Sequence, residues 1–201
     1  MIYYLTPFLF RLKTIHNENF IHRDFHSGNI LSLRNNHNKW VIGDLGLSQP
    51  TNSSNNEIYG VIPYIAPEIF KGVGFSKKSD IYSMGMIMWE LTTGREPFAN
   101  NVEHNIDLIY NIINGQRPEI TNDTPKCFVN LMERCWDSDI SKRPSAEEIL
   151  ETFYGWSFKE KDVEQFNQAE RIRLELNFGM YCIVLKESNV LVNINDYYLL
   201  F

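Results

Sequence analysis

The sequence predicts a mainly α protein, a helical bundle with one small β-hairpin, and two observations carry this prediction. The stretch SDIYSMGMIMWELTTG is apolar on all sides, which is typical of a central helix buried in a bundle. Two short β-type runs, NILSL and KWVIGD, flank the turn-forming letters RNNHN and indicate a hairpin. Apolar residues at helical spacing then recur through the second half of the chain, so we expect few further strands.

The first half of the chain predicts one helix, the hairpin, a loop and the buried helix. Residues 5–18 carry apolar side chains at helical spacing, namely Leu5, Phe8, Leu9, Leu12 and Ile15. Residues 47–63 are polar and predict a loop. Gly94 follows the buried helix and is typical of a residue that ends a helix in the left-handed conformation.

The second half predicts three further helices with recognisable ends. The stretch NVEHNIDLIYNIING ends at Gly115. The stretch TPKCFVNLMERCW places Thr124 as the N-cap and Pro125 at the first helical position. The stretch SAEEILETFY opens with a capping box between Ser145 and Glu148.

The domain division follows from where these packing signals weaken. We expect residues 1–155 to form one domain and residues 156–201 to form a tail. The tail contains a charged helix candidate at 159–175, and the apolar stretch after it has no assignment.

Composition excludes several classes of protein. The chain has 201 residues and a net charge of −6, which weighs against nucleic-acid binding. Its three cysteines, Cys127, Cys135 and Cys182, are too few for a disulfide framework and suit a reducing compartment. No apolar run reaches the roughly 20 residues of a membrane helix, and the start lacks a cleavage site. We therefore expect a cytoplasmic protein with no membrane partner.

The stretch FIHRDFHSGNIL gathers polar and basic residues around Asp24. A carboxylate beside basic groups stays ionised and can accept a proton from a hydroxyl. Asn29 lies five residues further on and Asp44 twenty, and the hairpin should bring these two together. Their oxygens suit Mg²⁺, and a carboxylate base beside such a site is suited to phosphoryl transfer. Taken singly, Asp24 is better explained as a turn or capping carboxylate. Asp80, after Ser79, is typical of a helix N-terminal cap, which is compatible with a further role.

The motifs around these residues resemble a eukaryotic protein kinase, and specifically its C-terminal lobe. HRDFHSGN resembles the catalytic loop, DLG the magnesium-binding triplet, and APE the end of the activation segment. SDIYSMGMIMWEL and CWDSDISKRPS resemble the later helical segments of that lobe. The match covers residues 5–155, and CWDSDISKRPS with GVIPYIAPE is similar to the tyrosine-kinase-like branch.

The resemblance implies a role for each matching residue. Asp24 would be the catalytic base, Asn29 and Asp44 would hold Mg²⁺ and ATP, and a protein would be the phosphate acceptor. His22 and Leu45 would belong to the apolar stack that aligns the active state.

Four more residues have roles by the same resemblance. Arg23 would bind a phosphorylated activation-loop residue. Asp80 would accept hydrogen bonds from the catalytic-loop backbone. Glu68 and Arg143 would form a buried ion pair, whose breaking typically costs roughly 3–5 kcal/mol.

The tail after residue 155 does not resemble the kinase fold, and within the matching part the sequence departs from the family in two respects. His26 and Val61 stand where Ser/Thr-specific kinases have Lys and Thr, so the acceptor hydroxyl, Ser/Thr or Tyr, stays open. A protonated His26 could still reach a phosphate.

The second departure is the smaller lobe, since no G-x-G-x-x-G loop occurs and residues before position 5 are too few to form that lobe. We therefore expect weak ATP binding by the chain alone, with a completing lobe or partner protein. The alternative is a kinase-like binding module without catalysis.

Overall fold

The computed structural model describes residues 2–32, 40–53, 57–99 and 106–175, and over these ranges it is mainly helical with two small sheets. The helices are α1 (Ile2–Asn17), α2 (Pro67–Phe70), α3 (Lys77–Thr93), α4 (Ile106–Ile113), α5 (Lys126–Cys135), α6 (Ala146–Phe158) and α7 (Val163–Glu175). The strands are β1 (Phe20–Ile21), β2 (Ile30–Ser32), β3 (Trp40–Ile42) and β4 (Gln49–Pro50). The predicted fold class is confirmed. The predicted hairpin turn, the start of the fourth predicted helix, the Leu5 side chain, Cys182 and residues 176–201 lie outside the described residues.

Helix α3 forms the centre of the structure. Every residue from Ser79 to Thr92 is buried, as the all-apolar sequence predicts. Ser76 caps the helix, and its hydroxyl accepts a hydrogen bond from the Ser79 backbone N–H, so Ser79 and Asp80 are not the cap. Gly94 ends the helix with φ at 64°, a conformation that glycine adopts at low cost.

The sheets lie between α1 and α2 in the chain. The predicted hairpin is confirmed, with β2 antiparallel to β3 and Ile30 opposite Ile42. Strands β1 and β4 form a second pair, Ile21 opposite Gln49, which the predicted loop at 47–63 missed. A two-residue strand shows no alternation, so its sequence carries no strand signal. A short 3-10 helix, Ile62–Tyr64, also interrupts that loop.

One of the two helix starts predicted in the second half is confirmed, and the other is shifted by one residue. The capping box between Ser145 and Glu148 is present at the start of α6. Helix α5 begins one residue later than predicted, because the Pro125 carbonyl accepts from the Val129 N–H and makes Pro125 the N-cap. Thr124 therefore lies outside the helix, where its hydroxyl pairs with that of Thr121.

Helix α7 packs back on the bundle. The Phe166 ring meets the Trp156 ring edge-on, with centroids 5.6 Å apart, and Phe166 belongs to the core. The helix begins at Val163 instead of 159, because α6 continues to Phe158 and Trp156 donates to the Asp162 carboxylate in the connecting turn. The expected domain boundary at 155 falls inside α6, and the division itself stays a prediction.

Buried apolar side chains join these elements into one core. Helix α1 packs against α6 and β3, and its Phe8, Leu9 and Leu12 side chains are buried. Within the described ranges, none of the helices combines the length and the hydropathy needed to cross a bilayer.

A buried ion pair joins α7 to the segment before α5. Arg173 donates to the Asp123 carboxylate at 2.9 Å, and both side chains are at least nine-tenths buried. Burial raises the pKa of Asp123, but hydrogen bonds from Thr121 and Arg173 outweigh it and leave the pKa lowered. The pair's contribution to stability is therefore present above the unfolded Asp pKa of about 3.9 and is lost as pH falls through the lower folded value.

We expect Arg173→Met to lower the free energy of unfolding by about 3–5 kcal/mol at pH 7, because Asp123 stays buried without its partner. The loss should shrink toward pH 3, where Asp123 can take up a proton. Urea unfolding at both pH values measures it. Arg171→Met is the matched control, since Arg171 pairs with Glu164 at the surface and should cost under about 1 kcal/mol. Equal losses of unfolding free energy in Arg173→Met and Arg171→Met would contradict a stabilising role for the buried pair.

Candidate active site

The loop around Asp24 is hydrogen-bonded to the first turn of α3. The Asp80 carboxylate is buried and accepts hydrogen bonds from two successive backbone N–H groups, of His22 at 2.8 Å and of Arg23 at 3.0 Å. The His16 ring lies 2.8 Å from the same carboxylate. Asp80 thus fixes the loop backbone, as the resemblance implies.

Arg23 turns away from its neighbour Asp24. Its backbone is left-handed, with φ at 72°, a strained conformation that the hydrogen bond to Asp80 helps to hold. The guanidinium lies 4.5 Å from the Phe75 ring centroid and donates to the Glu57 carbonyl oxygen at 2.9 Å. Of the basic residues that the sequence gathers around Asp24, His26 is the one that lies at its carboxylate.

The two oxygens of the Asp24 carboxylate have different surroundings. Oδ2 lies 3.3 Å from the Asn29 amide nitrogen, which also donates to the Asp24 carbonyl, and 3.7 Å from Nε2 of His26. Oδ1 is buried and has no hydrogen-bond partner among the described residues. The pKa of Asp24 is lowered, chiefly by His26, against the opposing effect of burial and with help from Asn29. The carboxylate is therefore ionised at neutral pH and ready to accept a proton.

The hairpin brings the Asn29 backbone against the residue that precedes Asp44. The Gly43 N–H donates to the Asn29 carbonyl at 2.7 Å, directly before Asp44. The Asp44 backbone is left-handed, with φ at 48°, and its exposed carboxylate accepts from the Gly46 N–H. Because the Asn29 amide nitrogen is engaged by Asp24, its oxygen is the atom that remains to coordinate a cation. An amide and a carboxylate oxygen fit Mg²⁺, which takes few protein ligands and keeps water and phosphate oxygens.

His22 and Leu45 are not brought together in a buried stack. His22 is fully buried beside the Phe25 ring, and its Nε2 lies 3.1 Å from the Gly43 carbonyl. Leu45 is 54% exposed, because in the part of the chain that the structure describes no element covers the DLG turn. The proposed joint alignment of these two side chains is therefore absent from this conformation.

Glu68 and Arg143 form the ion pair that the resemblance implies. Two guanidinium nitrogens donate to the two Glu68 oxygens at 2.6 and 2.7 Å, and both residues are buried. The remaining guanidinium donors reach the carbonyls of Asp137 and Lys78. The pair joins the end of the APE segment to the turn before α6, and its polar atoms are satisfied as a buried charge requires.

Sequence reasoning missed the contacts of the segment that follows Gly60. The Tyr64 hydroxyl donates to the Glu90 carboxylate at 2.7 Å and lies 3.3 Å from the Ser27 hydroxyl. Glu90 stands out in the sequence as the one acidic residue in the apolar stretch after Asp80, a signal that it has a buried partner. Gly60, with φ at 112°, carried no such signal, although a Cβ there would lie 3.1 Å from Oδ1 of Asp24.

A comparison with known protein families identifies the family of this chain. The model of the protein kinase domain matches residues 3–154, which is most of the chain. The chain therefore belongs to the protein kinase domain family, whose members are phosphotransferases that use ATP and Mg²⁺.

Individual relatives are also kinases. A probable serine/threonine-protein kinase of Dictyostelium discoideum is 34% identical over 142 residues, human mitogen-activated protein kinase kinase kinase 7 is 37% identical over 132, and the Dictyostelium stress-activated protein kinase alpha is 38% identical over 145. Each match covers 65% of this chain but only 8%, 21% and 22% of the respective relative. The chain thus corresponds to one part of much longer proteins.

We expect Asp80→Asn to loosen the Asp24 loop, because the amide's –NH₂ cannot accept a hydrogen bond and leaves one backbone N–H unpaired. An unpaired buried N–H costs about 1–3 kcal/mol, which makes local opening of the loop easier. We therefore expect hydrogen exchange at the His22 and Arg23 amides to be about tenfold faster or more. Mass spectrometry with local fragmentation measures this. Asp107→Asn, at an exposed carboxylate on α4, should leave both amides unchanged. Unchanged exchange in Asp80→Asn would contradict the anchoring role.

We expect Glu68→Ala to lower the free energy of unfolding by about 3–5 kcal/mol, because Arg143 would remain buried without a counter-ion. The separate variant Arg143→Lys should also be destabilised, since an ammonium cannot donate to both Glu68 carboxylate oxygens in parallel. Urea denaturation gives both values. Glu147→Ala, which removes the exposed pair with Lys13, should cost under about 1 kcal/mol. A cost for Glu68→Ala as small as this control would be inconsistent with a buried pair.

Proposed function

We propose that this chain carries the catalytic lobe of a protein kinase that transfers the γ-phosphate of ATP to a protein hydroxyl. The observation that supports this most is that the ionised Asp24 contacts the Asn29 amide, and that the Asn29 carbonyl accepts from the N–H of Gly43, the residue before Asp44. A turn carboxylate alone would need neither contact.

Asp24 acts as the base in this proposal. The acceptor hydroxyl gives its proton to the carboxylate while its oxygen bonds to the γ-phosphorus. The bond from that phosphorus to the β–γ bridging oxygen breaks, and ADP leaves with the electron pair. Asn29 keeps the carboxylate in place through its amide nitrogen.

Asn29 and Asp44 hold the cation through their oxygens. Bound Mg²⁺ supplies positive charge that offsets the charge developing on the phosphate oxygens. In this proposal Arg23 binds a phosphorylated activation-loop residue, and His22 with Leu45 completes the apolar stack in the active state. Such a stack would require Leu45 to move from its exposed position.

The finer assignment rests on the motifs and the relatives. We propose the tyrosine-kinase-like branch on the strength of CWDSDISKRPS and GVIPYIAPE. The name of the first Dictyostelium relative, a probable serine/threonine-protein kinase, favours Ser/Thr as the acceptor. Because the 201 residues include no Gly-rich loop to grip phosphates, we propose weak ATP binding and weak activity for the chain alone, raised by a completing lobe or partner protein.

Titration of the purified chain with ATP and Mg²⁺ by calorimetry tests this function. We expect saturable binding that disappears in Asp44→Ala, because that variant loses a cation ligand. Glu133→Ala removes an exposed charge on α5 and should bind as the parent does.

A phosphorylation assay with a generic protein substrate then compares the parent with Asp24→Asn, whose amide cannot take the proton. Absence of binding and transfer in a folded protein, with a completing lobe added, would instead favour the non-catalytic binding module.

A further inference from the structure

We propose that the chain selects protein acceptors with an apolar side chain next to the phosphorylated hydroxyl, and that Ile58 and Val61 contact this side chain. The inference rests on the proposed function and names the class of acceptor that the same site would take. It depends on residues 57–64, which pass the base and are called the acceptor segment below.

The acceptor segment lies against the loop that carries Asp24. A Cβ on Gly60 would lie 3.1 Å from Oδ1 of Asp24, so the backbone of the segment is in contact with the base. Further along, the centroid of the Tyr64 ring lies 5.9 Å from that of His26, and the Tyr64 hydroxyl lies 3.3 Å from that of Ser27. A polypeptide that brings a hydroxyl to Asp24 therefore has its neighbouring side chains beside this segment.

The acceptor segment exposes apolar side chains. Ile58 is 47% exposed, Tyr59 40% and Val61 39%. Single exposed apolar residues are ordinary, but three of them within four residues, beside a proposed active site, indicate a surface that binds another molecule. An apolar partner gains free energy there because water is displaced from both surfaces.

The glutamates in and around the acceptor segment are already engaged within the chain. The Glu57 carboxylate accepts a hydrogen bond from the Tyr59 hydroxyl. The Glu90 carboxylate is buried and accepts from Tyr64, and Glu68 is buried in its ion pair. A lysine or arginine of an acceptor would have to break one of these bonds to pair with a glutamate here. An apolar neighbour of the hydroxyl is therefore favoured over a basic one.

The first experiment detects binding without reference to activity. Methyl ¹H–¹³C spectra of the full chain are recorded during titration with two peptides, which are alike except that leucine or arginine stands on both sides of a single serine. The leucine peptide should shift the methyl signals of Ile58 and Val61, assigned through Ile58→Leu and Val61→Ala, and the arginine peptide should not. Ile106, which is 82% exposed on α4, is the control for unspecific contact and should not shift.

Several results of this titration would overturn the proposal. The arginine peptide could shift Ile58 and Val61 as strongly as the leucine peptide does, Ile106 could shift as much as they do, or neither peptide could shift them at millimolar concentration. If a completing lobe prevents the shifts, the exposed side chains are the interface with that lobe, and the proposal fails as well.

The second experiment measures selection during phosphate transfer with a completing lobe added. One apolar contact typically changes specificity by about 10- to 100-fold, so kcat/KM for the leucine peptide should exceed that for the arginine peptide by about this factor. Val61→Ser should raise KM for the leucine peptide and reduce the ratio, with kcat and the apparent Kd for ATP unchanged, as expected for a lost binding contact. Val73→Ser, at a 67% exposed valine outside the acceptor segment, should leave the ratio unchanged.

A charge exchange at position 61 tests the same contact by a gain of selectivity. Val61→Glu places a carboxylate in the acceptor segment, so the arginine peptide should become the better substrate. A ratio near one in the parent, or a preference for leucine that is the same in Val61→Ser, Val61→Glu and the parent, would overturn the proposal.

Failure of the proposed function can be told apart from failure of this inference. If the parent chain transfers phosphate to neither peptide even with a completing lobe, the proposed function fails. The methyl spectra then still decide whether the acceptor segment binds an apolar peptide.

Discussion

The buried carboxylate of Asp80 is the interaction on which the active-site loop depends. Helix α3 is apolar on every side, and burying a charge within it is costly unless the charge is fully hydrogen-bonded. The loop supplies that compensation through the backbone N–H groups of His22 and Arg23, and α1 supplies the His16 ring. The core and the loop therefore require each other.

The hydrogen bond from the Arg23 N–H to Asp80 also helps to explain why Arg23 and Asp24 do not pair with each other. Arg23 and Asp24 are adjacent and carry opposite charges, yet their side chains make separate contacts. The left-handed conformation of Arg23, held at its N–H by Asp80, directs its guanidinium to Phe75 and Glu57 instead. Asp24 is left with a histidine and an amide, which lower its pKa without a permanent positive charge in direct contact.

The sequence predicted those features that depend on local patterns. The buried helix, the hairpin and the capping box at Ser145 follow from apolar spacing and cap chemistry. The predicted hairpin also places Gly43, the residue before Asp44, against the Asn29 carbonyl. The β1–β4 pair and the Tyr64–Glu90 contact were missed, because each joins short segments distant in sequence. The exposure of Leu45 was missed for another reason, since burial of a turn residue depends on which element covers it.

Helix α3 also holds both the Asp24 loop and the segment around Tyr64. Asp80 holds the Asp24 loop near one end of the helix, and Glu90 holds Tyr64 near the other, about 15 Å along the axis. A helix buried on all sides cannot bend or rotate without disturbing the core around it, so both attachments are rigid. The hydroxyl groups of Ser27 and Tyr64 also lie 3.3 Å apart, so the Asp24 loop and the Tyr64 segment contact each other directly. A change at either end of α3 should therefore affect the position of the base relative to the segment, even where it touches neither.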